Sequence, residues 1–363
     1  MTDKATLLTD RGLGVGTTSE RVGIAIVGLG RAGQFHLTSA KALSDAVALR
    51  WVVDIDEPLV QRVAEREGCK GSTSIDAALA DPSVEAVIIA STTHTHYGHC
   101  LAALKAKKHV FTEKPVSHKP EELREVIELA IRSETAFIVG YQRRVDPNFR
   151  QLRVQVQDHK ALGALRLIKC CSRDNPLPPL EYLRVSGGIF CDMLCHDFDM
   201  INFLSGEIPT EVYSVGHCYN ADIAAMDDID TVVTTLTFAS GLIATVDCSR
   251  VAAYGYDQRV ECFGERGMAS AHNQRASTVE VATEAGFLAA PAQFSFPQRY
   301  KHTYTAELAE FIALIRAGGV EPEALLRRHL DLDRVTAAAE LSWRLHRPVK
   351  LDEVAALRSQ LPH

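Results

Sequence analysis

From Val22 to Gly140 the chain alternates short apolar runs with stretches whose apolar residues recur at helical spacing. Val22–Val27 reads as a strand, followed by a helical stretch from Ala32 to Leu43. Leu49–Val53 is a second strand, with a helix across Pro58–Glu67 and a short one around Ser74–Ala80. Strands at Val84–Ala90, His109–Thr112 and Ala136–Gly140 then alternate with helices at His96–Lys105 and Pro120–Ser133. Strands apolar on both faces and separated by helices predict a parallel sheet covered on both sides. Right-handed crossovers then favour a doubly wound order. After about Asp146 the texture changes. Long β-rich stretches occur at Leu165–Ser172, Glu211–His217, Asp230–Phe238, Leu242–Ser249 and Gln258–Phe263, with Ala239-Ser240-Gly241 as a hairpin turn. These predict a large, mostly antiparallel open sheet, interrupted by a helix around Gly188–Leu204 and followed by helices at Tyr304–Ala317 and Glu323–His346. The expected fold is α/β: a doubly wound N-terminal sheet plus an α+β second domain. The expected division is a loose leader over 1–20, a first domain over 21–141 and a second over 142–363, whose last helices are candidates to pack back on the first.

Composition narrows the class. The chain has 363 residues, 46% hydrophobic and 23% charged, enough apolar material for two cores. A net charge of −7 gives no basic footprint for nucleic acid. No apolar run reaches the ~18 residues of a membrane span. Nine cysteines, an odd number, follow a leader without a signal peptide's apolar core, so free thiols in a reducing cytoplasm are expected. The terminal Leu361-Pro362-His363 is neither a lipidation box nor a peroxisomal signal.

Gly28-Leu29-Gly30-Arg31-Ala32-Gly33 follows a predicted strand and opens a predicted helix. In that context the glycine pattern implies a dinucleotide's pyrophosphate held at a helix N-terminus. Gly12-Leu13-Gly14-Val15-Gly16 lacks the preceding strand and is a decoy. Asp54 closes the second strand, where a carboxylate accepts hydrogen bonds from the adenosine ribose and repels a 2′-phosphate. Ile55 beside it supplies no compensating charge, so NAD is expected in preference to NADP. The plain alternatives are a glycine-rich turn and a strand-ending aspartate.

Further motifs carry a family resemblance. His109-Val110-Phe111-Thr112-Glu113-Lys114-Pro115 resembles the G-K-H-V-x-x-E-K-P strand of the glucose–fructose oxidoreductase/inositol dehydrogenase (Gfo/Idh/MocA) family. Ser91-Thr92-Thr93-His94-Thr95-His96 is similar to its T-P-x-x-x-H loop, and Gly140-Tyr141-Gln142-Arg143-Arg144-Val145-Asp146-Pro147 to its G-F-x-R-R-F-D-P segment. Gly187 to Met200 resembles G-G-x-x-x-D-x-x-x-H-D-x-D-M, and Arg347-Pro348-Val349-Lys350 closes the series. The resemblance implies a Rossmann domain in which Thr92, Thr93, His96, Glu113 and Lys114 join the glycine loop around the cofactor. It also implies a Lys114–Asp192–His196 catalytic set, with His196 as acid/base, and a cis bond before Pro115.

The chemistry is consistent with these residue types. Oxidising a secondary alcohol needs a hydride acceptor and a group to take the hydroxyl proton, which suits a histidine. Asp192 and His196, four apart on a predicted helix, share a face; Asp192 is expected to orient His196 or bind substrate, its charge favouring the imidazolium. Lys114, at a parallel strand's carboxyl end, could stabilise a developing alkoxide. Alone, Lys114 would more often be a solvated strand-end lysine, and Asp192 with His196 more often a plain helix pair.

A cyclic polyol or sugar is the substrate class the resemblance implies, with Arg143 and Asn175 as pocket residues. Tyr254 and Tyr256, two apart in a strand pattern, point to one face; Tyr256 is the candidate contact, and two packing tyrosines the alternative. Thr92 where the family has proline, and Gln142 where inositol dehydrogenases usually carry methionine, depart from the pattern. His94, His96, His99 and the group Cys191, Cys195, His196 lack metal-site spacing, so no metal is expected. The functional expectation is an inositol 2-dehydrogenase-like NAD enzyme; a non-catalytic NAD-binding regulator and an NAD-dependent glycosidase are the alternatives. A homodimer or homotetramer is expected from the uncovered sheet face.

Overall fold

The computed structural model describes residues 21–359, so the expected leader and the terminal tripeptide lie outside the described residues. In the first half, strands β1 (Val22–Val27), β2 (Val47–Val53), β3 (Lys70–Ser72), β4 (Ala86–Ile89), β5 (His109–Glu113) and β6 (Phe137–Gly140) form one parallel sheet. Helices α1 (Arg31–Ala42), α2 (Glu57–Glu67), α3 (Ile75–Ala80), α4 (Thr93–Lys105) and α5 (Pro120–Ser133) connect them. The order β3-β2-β1-β4-β5-β6 reverses direction between β1 and β4, the crevice where doubly wound sheets bind ligands. All six residues of β1 are buried, as a strand covered on both faces requires. Polar residues punctuate the helices: the Asp56 carboxylate caps α2 by accepting from Leu59 N–H, and Gly68 ends it in a left-handed conformation. The sequence pattern did not reveal β3, because Lys70-Gly71-Ser72 carries no apolar run.

The second half comprises β7 (Leu165–Arg173), β8 (Glu211–His217), β9 (Thr231–Thr237), β10 (Ile243–Ser249), β11 (Asp257–Gly264), β12 (Gly267–Ala271), the separate hairpin β13 (Glu280–Thr283) and β14 (Gly286–Ala289), and β15 (Val349–Lys350). Its helices are α6 (Pro147–Arg153), α7 (Leu180–Leu183), α8 (Cys195–Ser205), α9 (Ala221–Ala224), α10 (Phe296–Arg299), α11 (Thr303–Arg316), α12 (Glu323–Leu345) and α13 (Val354–Arg358). The large sheet runs β12-β11-β7-β10-β9-β8-β15, antiparallel throughout except for the parallel pair β7–β10. The turn at Ala239-Ser240-Gly241 joins β9 to β10 as predicted, with Gly241 at φ +86°.

Three features position the site. The helix predicted around Gly188–Leu204 is present from Gly188 onward, and Gly187 and Gly188, both left-handed (φ +82° and +79°), form the turn that opens it. Phe190–Leu194 then forms a π-helical turn that runs into α8, a local form often found at functional sites. Helix α11 does pack back on the first half: Leu308, Phe311, Ile312 and Ile315 share a core with Ile24, Ile26 and Phe111, and Thr305 bonds Ser39. The strand pattern assumed through Tyr254 and Tyr256 does not hold. Gly255 (φ +118°) turns the chain before β11, leaving Tyr254 53% exposed and Tyr256 4%.

Candidate active site

The glycine loop links β1 to α1. Gly28 sits at φ +93°, and a Cβ there would lie 2.4 Å from the Ser91 backbone. A Cβ on Gly33 would come within 2.0 Å of Gly28 O, so helix and strand approach as only glycine permits. Gly30 faces open space and caps α1 without any side-chain acceptor, which leaves the helix's first N–H groups to a ligand. The Asp54 carboxylate accepts from Leu29 N–H (2.7 Å) and from Asp56 N–H (3.1 Å), bracing the loop from the end of β2. Ile55, 93% exposed, flanks it. This cradle, with its opening at Gly30 and carboxylate at Asp54, fits a dinucleotide.

Arg31 points the other way. Its guanidinium lies over the rings of Phe296 (4.9 Å) and Tyr182 (5.6 Å), so a cation of the loop is held by two aromatics of the second half. Ala32 begins α1 beside it. In the loop after β4, Thr92 caps α4 and is exposed, and Thr93 is half-buried. His96 is buried, with its two ring nitrogens against Pro115 O (2.8 Å) and Ser91 O (3.0 Å). It ties the β4 and β5 loops together. Glu113 meets buried His36 at 2.7 Å beneath the loop, a partner the sequence motifs did not suggest.

Lys114 directly follows β5, and its bond to Pro115 is cis. Its Nζ donates to the Asp192 carbonyl (2.6 Å) and reaches Asp192 Oδ1 at 3.4 Å. Burial opposes its charge, but Cys195, Asp192 and Tyr182 outweigh it and hold the pKa above the usual lysine value. Asp192 lies on the π turn. Oδ1 accepts from Tyr182 O–H (2.7 Å) and Oδ2 from Arg250 (3.1 Å). Burial raises its pKa, yet Lys114 and Arg250 together win and hold it below the ordinary aspartate value.

Both oxygens of Asp192 are thus engaged by others; of its two expected roles, orienting His196 or binding substrate, the first has no hydrogen bond behind it. His196 is buried on the first turn of α8. Burial, then the positive charges of Lys114 and Arg143, push its pKa well below the ordinary histidine value. This favours the neutral imidazole, and its Nδ1 is enclosed with no partner among the described residues. An orphaned buried nitrogen of this kind marks where a ligand or water completes the bonding.

Arg143 is buried beside it, donating to Asp197 Oδ1 (2.8 Å) and Ser172 Oγ (3.3 Å). Tyr256 is buried edge-on to Tyr300, with ring centroids 5.9 Å apart. Tyr254 instead bonds Asp257 and Arg173 away from this group. The Asn175 amide donates to Phe294 O (2.9 Å). Sequence reasoning missed Tyr182 and Arg250. Arg250 is fully buried and forks between Asp192 and Asp228, whose other oxygen accepts from Ile189 N–H (3.0 Å). The one signal for it was an arginine at the end of an apolar strand. Among the described residues no three His, Cys, Asp or Glu side chains converge to hold a metal, and no helix is long and apolar enough to cross a membrane.

The comparisons with known proteins agree with this geometry. Residues 22–141 match the model of an oxidoreductase family with an NAD-binding Rossmann fold, and residues 149–270 match the Gfo/Idh/MocA C-terminal domain. A myo-inositol 2-dehydrogenase of Thermotoga maritima is 37% identical over 334 residues, 91% of this chain and 99% of that protein. A scyllo-inositol 2-dehydrogenase (NAD(+)) of Bacillus subtilis is 32% identical over 92% of this chain and 97% of its own. The crystal structure of a probable dehydrogenase from Thermotoga maritima superimposes with a TM-score of 0.87 at 36% identity, covering 92% of this chain and all of that one. With the cradle, the paired sheets and matches across both halves in hand, the chain belongs to the Gfo/Idh/MocA oxidoreductase family.

Proposed function

We propose that the protein is an NAD-dependent dehydrogenase that oxidises a secondary hydroxyl of a cyclic polyol of the inositol class. The observation carrying this reading is the convergence of charged Lys114, paired Asp192 and neutral His196 beside the glycine loop. Residues 21–141 act as the NAD-binding domain, and the chain from 142 onward supplies the catalytic and substrate groups. Gly28, Gly30 and Gly33 would receive the pyrophosphate, and Asp54 the ribose. NAD, when bound, supplies the hydride acceptor. The Lys114 ammonium donates to the reacting oxygen as negative charge develops there. Neutral His196 takes the hydroxyl proton, and returns it when the reaction runs in reverse. Asp192, held ionised by Lys114 and Arg250, fixes the ammonium's direction. Arg143 and Tyr256 line the polyol's side of the cleft, with Asn175 at its edge.

Purified protein given NAD and a panel of inositol isomers and aldoses is expected to form NADH at 340 nm with at least one cyclitol (about 340 nm being the nicotinamide band). Lys114→Ala and His196→Ala are each expected to lower kcat by about 100-fold or more while NADH still binds. Net NADH also separates this reading from the regulator and the glycosidase, neither of which accumulates it. No turnover on any cyclitol or sugar overturns the reading.

The outer face of the large sheet supports a homo-oligomer. Tyr213, Val215, Val233, Ile243, Phe263 and Met268 are exposed on it, aligned across β8 to β12. The nine cysteines stand as free thiols, which supports a reducing, cytoplasmic setting.

A further inference from the structure

Behind the proposed catalytic set lies a cavity that the reaction does not use. It encloses about 460 Å³, within the ~300–1,000 Å³ typical of small-molecule sites. Both halves of the chain wall it: the segment from Pro115 to His118, the start of α5, the π turn at Cys191, helix α12, and Arg358 with Ser359. Lys114, Asp192, His196, Arg143 and the glycine loop do not line it. It touches their neighbours instead, since Pro115 adjoins Lys114, Cys191 adjoins Asp192 and Cys195 adjoins His196.

Part of the wall is apolar, from Val116, Leu123, Val139 and Leu332. Set into it are two buried rings whose polar atoms make no hydrogen bond among the described residues. Tyr141 is 8% exposed; its ring meets His196 edge-on (5.8 Å) and stacks on His329 (5.9 Å, 12° between planes). Cys195 and Asp333, both near enough to act on the Tyr141 hydroxyl, line the same cavity, which places that hydroxyl at its wall. Burial, then Arg144, pushes the His329 ring down to about 3, so it stays neutral and offers one donor and one acceptor. Buried polar groups left in this state are completed by a ligand or by water.

The surrounding charges select among ligands. Arg358 is spent on both oxygens of Asp333 (2.6 and 3.1 Å), and Glu340 is held by Arg344 (3.0 Å). His118, lowered by burial and by Lys114, adds no positive charge near neutrality. Glu121 remains, exposed and without a cation among the described residues. An anion entering here finds no unpaired cation and meets the Glu121 carboxylate, whereas a neutral or singly positive molecule meets no such penalty.

We propose that this cavity is a second small-molecule site, separate from the cofactor and polyol cleft, for an uncharged or monocationic amphipathic ligand: a small apolar body bearing hydroxyl or amino groups. Its occupant touches the segments that carry Lys114 and Asp192 without entering the cleft. The inference goes beyond the dehydrogenase reading and does not depend on it.

The test is an NMR titration of the full chain with tyramine and with 4-hydroxyphenylacetate, two phenols that differ in the sign of their charge. In the wild type saturated with NADH, tyramine is expected to bind with a Kd of about 1 mM or tighter, and 4-hydroxyphenylacetate at least about fivefold more weakly. Tyr141→Phe keeps both ring contacts and removes the hydroxyl, so tyramine is expected to bind about fivefold more weakly. Glu121→Lys, at an exposed position outside the core, is expected to weaken tyramine and to abolish or reverse the charge preference. Displacement of tyramine by NADH overturns the inference, because the site is then the cofactor cleft. Absence of binding, equal affinity for the two phenols, or undiminished tyramine binding in either variant also overturns it. So does binding that appears only in a chain ending at Ser359, which gives the cavity to the chain's own last residues. Tyramine binding as expected in a protein that oxidises no cyclitol overturns the dehydrogenase reading alone.

Discussion

At the scale of single residues, the site is governed by which charges are paired. Arg250 is fully buried and serves two carboxylates, Asp192 and Asp228. Removing it strands both. Arg250→Met is expected to cost ~3–5 kcal/mol of stability, read by denaturant unfolding. The pH dependence has a definite sign. Asp192 has a folded pKa below its unfolded value, so its contribution to stability is fully present above the unfolded value of ~3.9 and is lost as pH falls through the folded one. In Arg250→Met this contribution shrinks, and the acid-induced fall in stability becomes shallower. An unaltered acid limb would show that Lys114 alone sets the Asp192 charge. At the cofactor end, the role proposed for Asp54 is to select NAD over NADP through charge. Asp54→Ser keeps an acceptor for the Leu29 N–H but removes the repulsion. The ratio of kcat/KM for NAD over NADP is expected to fall ~10- to 100-fold, about 1.4–2.8 kcal/mol. A ratio that does not move would place the selectivity elsewhere.

At the scale of elements, the site depends on backbone that side chains cannot replace. Between β1 and α1, the Gly33 Cα approaches Gly28 O too closely for any Cβ, and the obstructing atom is backbone. Gly33→Ala must therefore push α1 away from the sheet. NADH binding, followed by nucleotide fluorescence, is expected to weaken ~10-fold or more, about 1.4 kcal/mol. Wild-type affinity would mean the loop can open without loss. The π turn at Phe190–Leu194 matters in the same way. An uninterrupted α-helix through Asp192 and His196 would stack the two side chains on one face. Here Asp192 instead turns to Lys114, Tyr182 and Arg250, and His196 is left neutral without its help.

At the scale of the whole molecule, two sheets are joined by contacts that cross between them. Lys114 from the first meets Asp192 from the second, Arg31 of the glycine loop rests between Tyr182 and Phe296, and α11 completes the core around Phe111. The exposed apolar face of the large sheet is the surface proposed for self-association. Light scattering is expected to give a dimer or tetramer for the wild type. Val215→Asp, at the middle of that face, is expected to shift the population towards monomer at micromolar concentration, because an isologous contact brings the charge in twice. An unchanged mass would move the interface to another surface.

Much of this was legible in the chain because it is local. The alternation of apolar strands with helices specified the doubly wound sheet, and the glycines between Val27 and Gln34 specified the cradle, since each depends on residues near in sequence. The motifs around Lys114, Asp192 and His196 likewise singled out the three side chains of the proposed catalytic set. Short elements such as β3 and β15, with almost no apolar run, left no such pattern. Nor did the partners of the reacting groups. Arg250 stands 58 residues from Asp192, and Lys114 78 residues from it. A protonation state is set by burial and by charges brought within a few ångströms, and both exist only after the sheets have assembled. The sequence by itself therefore determined the fold class, the cofactor cradle and the types of group at the centre. Only the tertiary structure decided that burial and two nearby cations hold the His196 pKa low, and that Asp192 serves Lys114 and Arg250 instead of the histidine.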